Sequence, residues 1–131
     1  MSGLVGYFVF RDGDASVAYL ASVFGFETVV EQRGDAGELW HVELRAGDAV
    51  IMGGTATGEQ VADEPWGRPG GHGLYLVVED VDATYERAIA GGGRSVFGPE
   101  DTEWGTRRAR ILDLDGYEWS FGTYQPGQAW G

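Results

Sequence analysis

The chemistry open to this chain is narrow. It has no cysteine, which excludes thiol nucleophiles, thiolate metal sites and disulfides. Its two histidines are His41 and His72. His41 stands two residues before Glu43, and Glu118 stands two before Ser120. His41, Glu43, His72 and Glu118 form the mixed imidazole and carboxylate set that a divalent ion would take in an unusual register. The competing reading of His72, beside glycines, is a loop residue. Asp12-Gly-Asp14 and Asp80-Val-Asp82 also offer carboxylates. Each precedes a helical pattern, where one Asp caps the helix N-terminus and no metal is needed. A Gly-x-Ser-x-Gly elbow and a His-Glu-x-x-His motif are absent. Gly53-Gly-Thr-Ala-Thr-Gly lacks the lysine that a phosphate loop requires. No catalytic residue is assigned.

Binding chemistry is better supplied. Alternation along strands separates side chains onto two faces. It puts Phe8 and Phe10 opposite Val5, Tyr7 and Val9, and Leu74, Leu76 and Val78 opposite Gly73, Tyr75 and Val77. The same rule separates Val42 and Leu44 from His41 and Glu43, and Trp119 and Phe121 from Glu118 and Ser120. The apolar sets are expected under the helices. The other face gathers Tyr7, His41, Glu43, Tyr75, Arg110, Glu118 and Ser120, with Arg110 read as the match of His41. Aromatic walls with a few polar groups make a ligand cleft. The plainer alternative is a sheet face turned to water. Trp66 and Trp104 stand in irregular loops and are added as candidate cleft walls.

These residues are positioned by an internal repeat. Phe8-Val-Phe-Arg-Asp-Gly-Asp-Ala-Ser lies 68 positions before Leu76-Val-Val-Glu-Asp-Val-Asp-Ala-Thr. Each copy leads into a helix, with Val17, Leu20, Ala21 and Phe24 marking one face of the first and Tyr85, Ala88 and Ile89 one face of the second. Gly25 stops one helix and Gly91-Gly92-Gly93 the other. Strands follow near 27–33, 38–45 and 48–53, then near 94–98, 106–113 and 117–124. Asp115-Gly116 is a hairpin signal between the last two. Residues 98–105 read as a second irregular loop. The chain is thus expected to be α+β, one domain over 1–131, with βαβββ modules at 4–53 and 72–124 and a connecting loop at 54–71.

Bulk properties set the remaining limits. A net charge of −12, from 21 acids against nine Lys and Arg, repels phosphate backbones and argues against nucleic acid as a partner. It favours solubility or a cationic ligand. No apolar run reaches the roughly 18–20 residues of a membrane span. The start of the chain lacks the basic region of a signal peptide, and the cytoplasm is expected.

The first module, Tyr7-Phe-Val-Phe-Arg-Asp and Ala15-Ser-Val-Ala-Tyr-Leu-Ala-Ser-Val-Phe-Gly-Phe-Glu, resembles that of the vicinal oxygen chelate superfamily, which holds glyoxalase I, bleomycin resistance proteins and extradiol dioxygenases. Val77-Val-Glu-Asp-Val-Asp-Ala-Thr-Tyr-Glu-Arg-Ala resembles its second module. Glu103-Trp-Gly-Thr-Arg and Asp113-Leu-Asp-Gly-Tyr-Glu-Trp-Ser-Phe-Gly resemble the closing hairpin. The resemblance runs from about Val5 to Tyr124. It implies paired modules forming a curved mixed sheet around a cleft, and commonly a homodimer, to which the aromatic tail residue Trp130 would add. Metal-dependent members carry ligands at one first-strand and one last-strand position per module. Those positions fall here on Val5, Gly73, Ile51 and Ser120, a set that holds a divalent ion poorly. The resemblance therefore implies a metal-free small-molecule binding protein of the bleomycin-resistance type, with drug sequestration as one use and without cofactor. The alternative is a metal-dependent lyase or dioxygenase with displaced ligands. The expected ligand is planar and neutral or cationic.

Overall fold

The computed structural model describes residues 5–56 and 73–126. Trp66, His72, Trp130 and nearly all of the connecting loop lie outside the described residues. The chain divides into two compact units, Met1–Pro65 and Trp66–Gly131. The first contains β1 (Gly6–Phe10), α1 (Gly13–Phe24), β2 (Glu27–Arg33), β3 (Leu39–Ala46) and β4 (Ala49–Thr55). The second contains β5 (Gly73–Val77), α2 (Val81–Ala90), β6 (Arg94–Asp101), β7 (Arg107–Leu112) and β8 (Glu118–Gly122). Both read strand, helix, strand, strand, strand, so the chain is α+β with two βαβββ modules.

Each unit has its own four-stranded mixed sheet, in the order β1-β4-β3-β2 and β5-β8-β7-β6. The first strand of each module runs parallel to the last, and the remaining pairs are antiparallel. The parallel pairing follows from the helical crossover, which returns the chain in the same direction. The cores are mainly apolar faces, with Ser16, Thr84, Asp113 and Asp115 the polar residues buried among those described. Phe8, Phe10, Leu20, Val23, Val42, Leu44 and Ile51 are buried in the first unit, and Val81, Ala88, Ala109, Ile111, Trp119 and Phe121 in the second. The Phe8 and Phe10 rings stack at 6.0 Å. Gly53 is required beside them, because a Cβ there would lie 2.5 Å from Cε2 of Phe10 and 2.9 Å from the Phe8 carbonyl.

The Asp-x-Asp pairs have a structural division of labour. Asp12 and Asp80 cap the helices, accepting from the Ala15 and Ala83 amides at 3.1 and 3.0 Å. Asp14 and Asp82, in the first helical turns, pair instead with Arg33 and Arg107 at 2.6 and 2.7 Å. The guanidinium hydrogen bond in each pair holds the aspartate below its ordinary range. Both pairs tie a helix start to a strand.

Two expectations are corrected. The buried face of α1 is Gly13, Ser16, Tyr19, Leu20 and Val23, and that of α2 is Val81, Thr84 and Ala88. Apolar residues ring α1 on all sides, so periodicity alone selects no single face. The glycine at 13 lets the helix approach the sheet, since a Cβ there would meet Leu39 at 3.1 Å. Secondly, residues 98–105 are not a long loop. β6 continues to Asp101, and only a turn closed by Thr102 and Thr106 remains, with Thr102 N donating to the Thr106 carbonyl at 2.8 Å. Register shifts on either side of Phe97 carry the strand past Gly98 and Pro99. β6 is an edge strand, where proline is tolerated.

Candidate functional site

The second unit places four of the expected residues in one pocket. A cavity of about 370 Å³ is lined by Tyr75, Arg110, Glu118 and Ser120, together with Gly73, Leu74, Phe97, Arg108 and Ala109. The strand register explains the grouping. Tyr75 pairs with Ser120, Gly73 with Glu118, and Arg110 with Ser120, so three strands deliver their side chains to one spot. Their alternates on β7 and β8, Ala109, Ile111, Trp119 and Phe121, are buried on the helix side.

The polar centre is Arg110. Its Nε donates to Ser120 Oγ at 2.7 Å, and its Nη1 lies 3.1 Å from Glu118 Oε1. Its guanidinium carbon lies 5.2 Å from the centre of the Phe97 ring. Arg108 shares that ring at 5.5 Å, reaches Trp104 at 5.9 Å, and donates from Nε to Glu100 Oε1 at 2.9 Å. Phe97 thus has both guanidiniums within cation–π range of its ring. A second cavity of about 280 Å³ adjoins the first through Tyr75 and Arg108, and is walled by Trp104, Tyr124, Thr102 and Thr106. Tyr75 divides the two. Its hydroxyl donates to the Tyr124 carbonyl at 2.8 Å, and partial burial raises its pKa, which keeps it protonated. Gly122 makes room for it, since a Cβ at 122 would lie 2.9 Å from that hydroxyl.

The first unit carries a shallower counterpart. Tyr7, Gln32, Trp40 and His41 line an open cavity of about 370 Å³. His41 Nε2 lies 2.9 Å from Glu43 Oε2. Trp40 is 65% exposed although alternation would bury it with Val42. A bulge is the reason. Gln32 pairs with His41 but Arg33 pairs with Leu39, so Trp40 is the extra residue and joins His41 on the open face.

The register also corrects two matches between the modules. His41 corresponds to Arg108, and Glu43 to Arg110, because Val42 pairs with Gly53 while Ala109 pairs with Phe121. Arg110 is therefore not the match of His41. The cause is one extra residue in the β7–β8 hairpin: Leu44 to Ile51 spans seven positions and Ile111 to Trp119 spans eight. For the same reason the match of Ser120 is Met52, which pairs with Tyr7, while Ile51 is buried on the helix side. Phe97, Arg108 and Trp40 are site residues that sequence reasoning missed.

Among the described residues, those at the chelating positions do not fit a divalent ion. Val5, Gly73, Met52 and Ser120 supply one thioether and one hydroxyl, and that hydroxyl already accepts from Arg110. Among the described residues no three His, Asp or Glu side chains converge as a metal site requires. Glu118 and Glu43 are each engaged with a neighbour.

Comparison with known proteins agrees with this architecture. The family model of the Glyoxalase/Bleomycin resistance protein/Dioxygenase superfamily matches residues 5–121. TioX from Micromonospora sp. ML1 is similar in structure at a TM-score of 0.71 and 30% identity, over 95% of this chain and 100% of that one. The fosfomycin resistance protein FosX from Mesorhizobium loti has a TM-score of 0.71 at 18% identity, over 96% and 94% of the two chains, a likeness of fold. An uncharacterized protein of Mycobacterium bovis is 26% identical over 126 residues, 88% of this chain and 79% of that protein.

Proposed function

Because the chain belongs to the glyoxalase/bleomycin resistance protein/dioxygenase superfamily, we propose that it is a binding member of that family, one that holds a small flat molecule without a metal ion. The observation that carries this reading is Arg110, a guanidinium on β7 held by Ser120 and Glu118 above Phe97, beside the last-strand position where chelating members carry a ligand and this chain has Ser120. Aromatic walls around a few fixed polar groups suit retention of a ligand. A flat ring buried between Tyr75, Phe97 and Trp104 gains roughly 25 cal/mol per Å² before association costs. The ligand is neutral or cationic rather than multiply anionic, because the net charge of −12 opposes anions. Sequestration of a drug in the cytoplasm would be one use of such a protein; one neighbour of the same fold is a fosfomycin resistance protein.

Two measurements test this. Excess EDTA leaves the melting temperature and ligand titrations unchanged, whereas a bound ion would stabilise the native state and its removal would lower both. In tryptophan fluorescence titrations of flat aromatic compounds, Tyr75→Ala weakens the best binder several-fold. A large thermal loss on chelation, or a silent Tyr75→Ala, removes the reading.

The protein is also proposed to be a homodimer. Val5, Tyr7, Val29 and Trp40 are exposed apolar side chains in the first unit, and a second copy of the chain would cover such surface. Light scattering at micromolar concentration should give twice the mass of one 14.1 kDa chain. A monomer mass refutes it.

A further inference from the structure

The pocket of the second unit contains hydrogen-bond donors for which the described residues supply no acceptor. Arg110 engages Ser120 through Nε and Glu118 through Nη1, and Arg108 engages Glu100 through Nε. Among the described residues, nothing accepts from Nη2 of Arg110 or from either Nη of Arg108. Water meets these donors while the site is open. A ligand that displaces the water without replacing its bonds leaves a guanidinium desolvated and unpaired, which is costly.

Charge narrows the choice further. Two arginines face two glutamates, Glu100 and Glu118, within bonding distance. The pocket is locally neutral, so it offers a cation no net attraction. The walls are flat: Phe97 lies against both guanidiniums, and Tyr75 and Trp104 stand at the edge. A flat neutral ring with an oxygen acceptor on its rim satisfies walls and donors together.

We propose that this pocket selects flat, neutral ring systems bearing a carbonyl oxygen, with Arg110 as the donor to that oxygen. The proposal rests on the reading of the chain as a small-molecule binder and assigns that binder its ligand class. Ser120 is a positioning residue here. It touches Arg110 rather than the ligand, and it fixes the plane from which the remaining donors project. The fork geometry matters, so lysine does not substitute for Arg110.

The test uses the full chain in EDTA and three probes of similar shape: 9-fluorenone, fluorene without the oxygen, and the cation N-methylacridinium. Tryptophan fluorescence reads the dissociation constants. Fluorenone should bind about tenfold tighter than fluorene, the effect of one charge-assisted hydrogen bond, and N-methylacridinium should not exceed fluorenone. Arg110→Met should abolish the fluorenone preference and leave fluorene binding in place, and Arg110→Lys should not restore it. Ser120→Ala should reduce the preference by a factor of a few while circular dichroism and melting stay unchanged. It serves as the deciding variant should the Arg110 changes fail to fold. Equal binding of fluorenone and fluorene overturns the proposed ligand class but leaves a binding function standing. So does tightest binding of the cation. Failure of all three probes to bind overturns the binding function itself.

Discussion

Replacing Trp119 with alanine lowers the unfolding free energy by about 3–5 kcal/mol, the usual cost of emptying a large aromatic site. Trp119 is the largest fully buried side chain among the described residues and is the second residue of β8. Two losses add. Deleting the indole leaves a cavity beside Ile111, its buried cross-strand neighbour. It also removes the Nε1–H that Asp113 Oδ2 accepts at 2.9 Å, which leaves a buried carboxylate short of a partner. A whole domain is stable by roughly 5–15 kcal/mol, so this one change takes a large share. Trp119→Phe separates the two terms, because it keeps a ring but not the donor, and its cost should fall between wild type and alanine. Urea titration followed by far-UV circular dichroism reads all three. A midpoint for Trp119→Ala within error of wild type would show that the second unit does not depend on this side chain.

The fold was legible because the repeat constrains it twice. The 68-residue offset from Phe8 to Leu76 aligned two strands and two helix caps at once, and period-2 alternation in β8 and β3 separated Trp119 from Ser120 and Val42 from His41. The site was legible only where that alternation holds. It fails at Trp40 and around Phe97, where bulges add a residue and turn side chains to the other face. A bulge arises from pairing between strands, and neither strand carries a glycine or proline at Trp40 to mark it. Pro99 beside Gly98 is such a mark, but the same pair signals a loop as readily as an irregular edge strand. The mismatch of Arg110 with His41 has the same kind of origin. One extra residue in a hairpin changes which side chains correspond even where the strands themselves are placed correctly. The pairs Asp14 with Arg33 and Asp82 with Arg107 join residues 19 and 25 positions apart, so they are products of packing and have no local signature.

Asp113 makes the stability of the second unit fall as the pH rises from about 4 to about 6. Its side chain is buried at the start of the β7–β8 hairpin. Burial raises its pKa from 3.8 to about 6, against hydrogen bonds from Trp119 and from the Tyr117 and Asp115 amides, and with some repulsion from Asp115. The folded state therefore binds the proton more tightly than the unfolded state. Below about pH 4 both states are protonated and the full contribution is present. Between the two pKa values the unfolded chain ionises first, and stability declines; above about 6 the loss is complete. The size is roughly 3 kcal/mol, at about 1.4 kcal/mol per pH unit. Asp14 and Asp82 act in the opposite direction, since their arginine partners lower their pKa values and that stabilisation is lost in acid. The whole-protein profile thus mixes both signs, and the comparison that isolates Asp113 is with Asp113→Asn. Asparagine keeps an oxygen for the Asp115 and Tyr117 amides, both of which use Oδ1, but presents an NH₂ to the Trp119 indole. It is less stable than wild type by a margin that is largest near pH 4. That margin should shrink by roughly 3 kcal/mol by pH 7, measured by urea unfolding at each pH. A margin that stays constant over this range, or widens toward neutral pH, would mean that Asp113 is ionised in the folded protein throughout and that its three donors outweigh its burial.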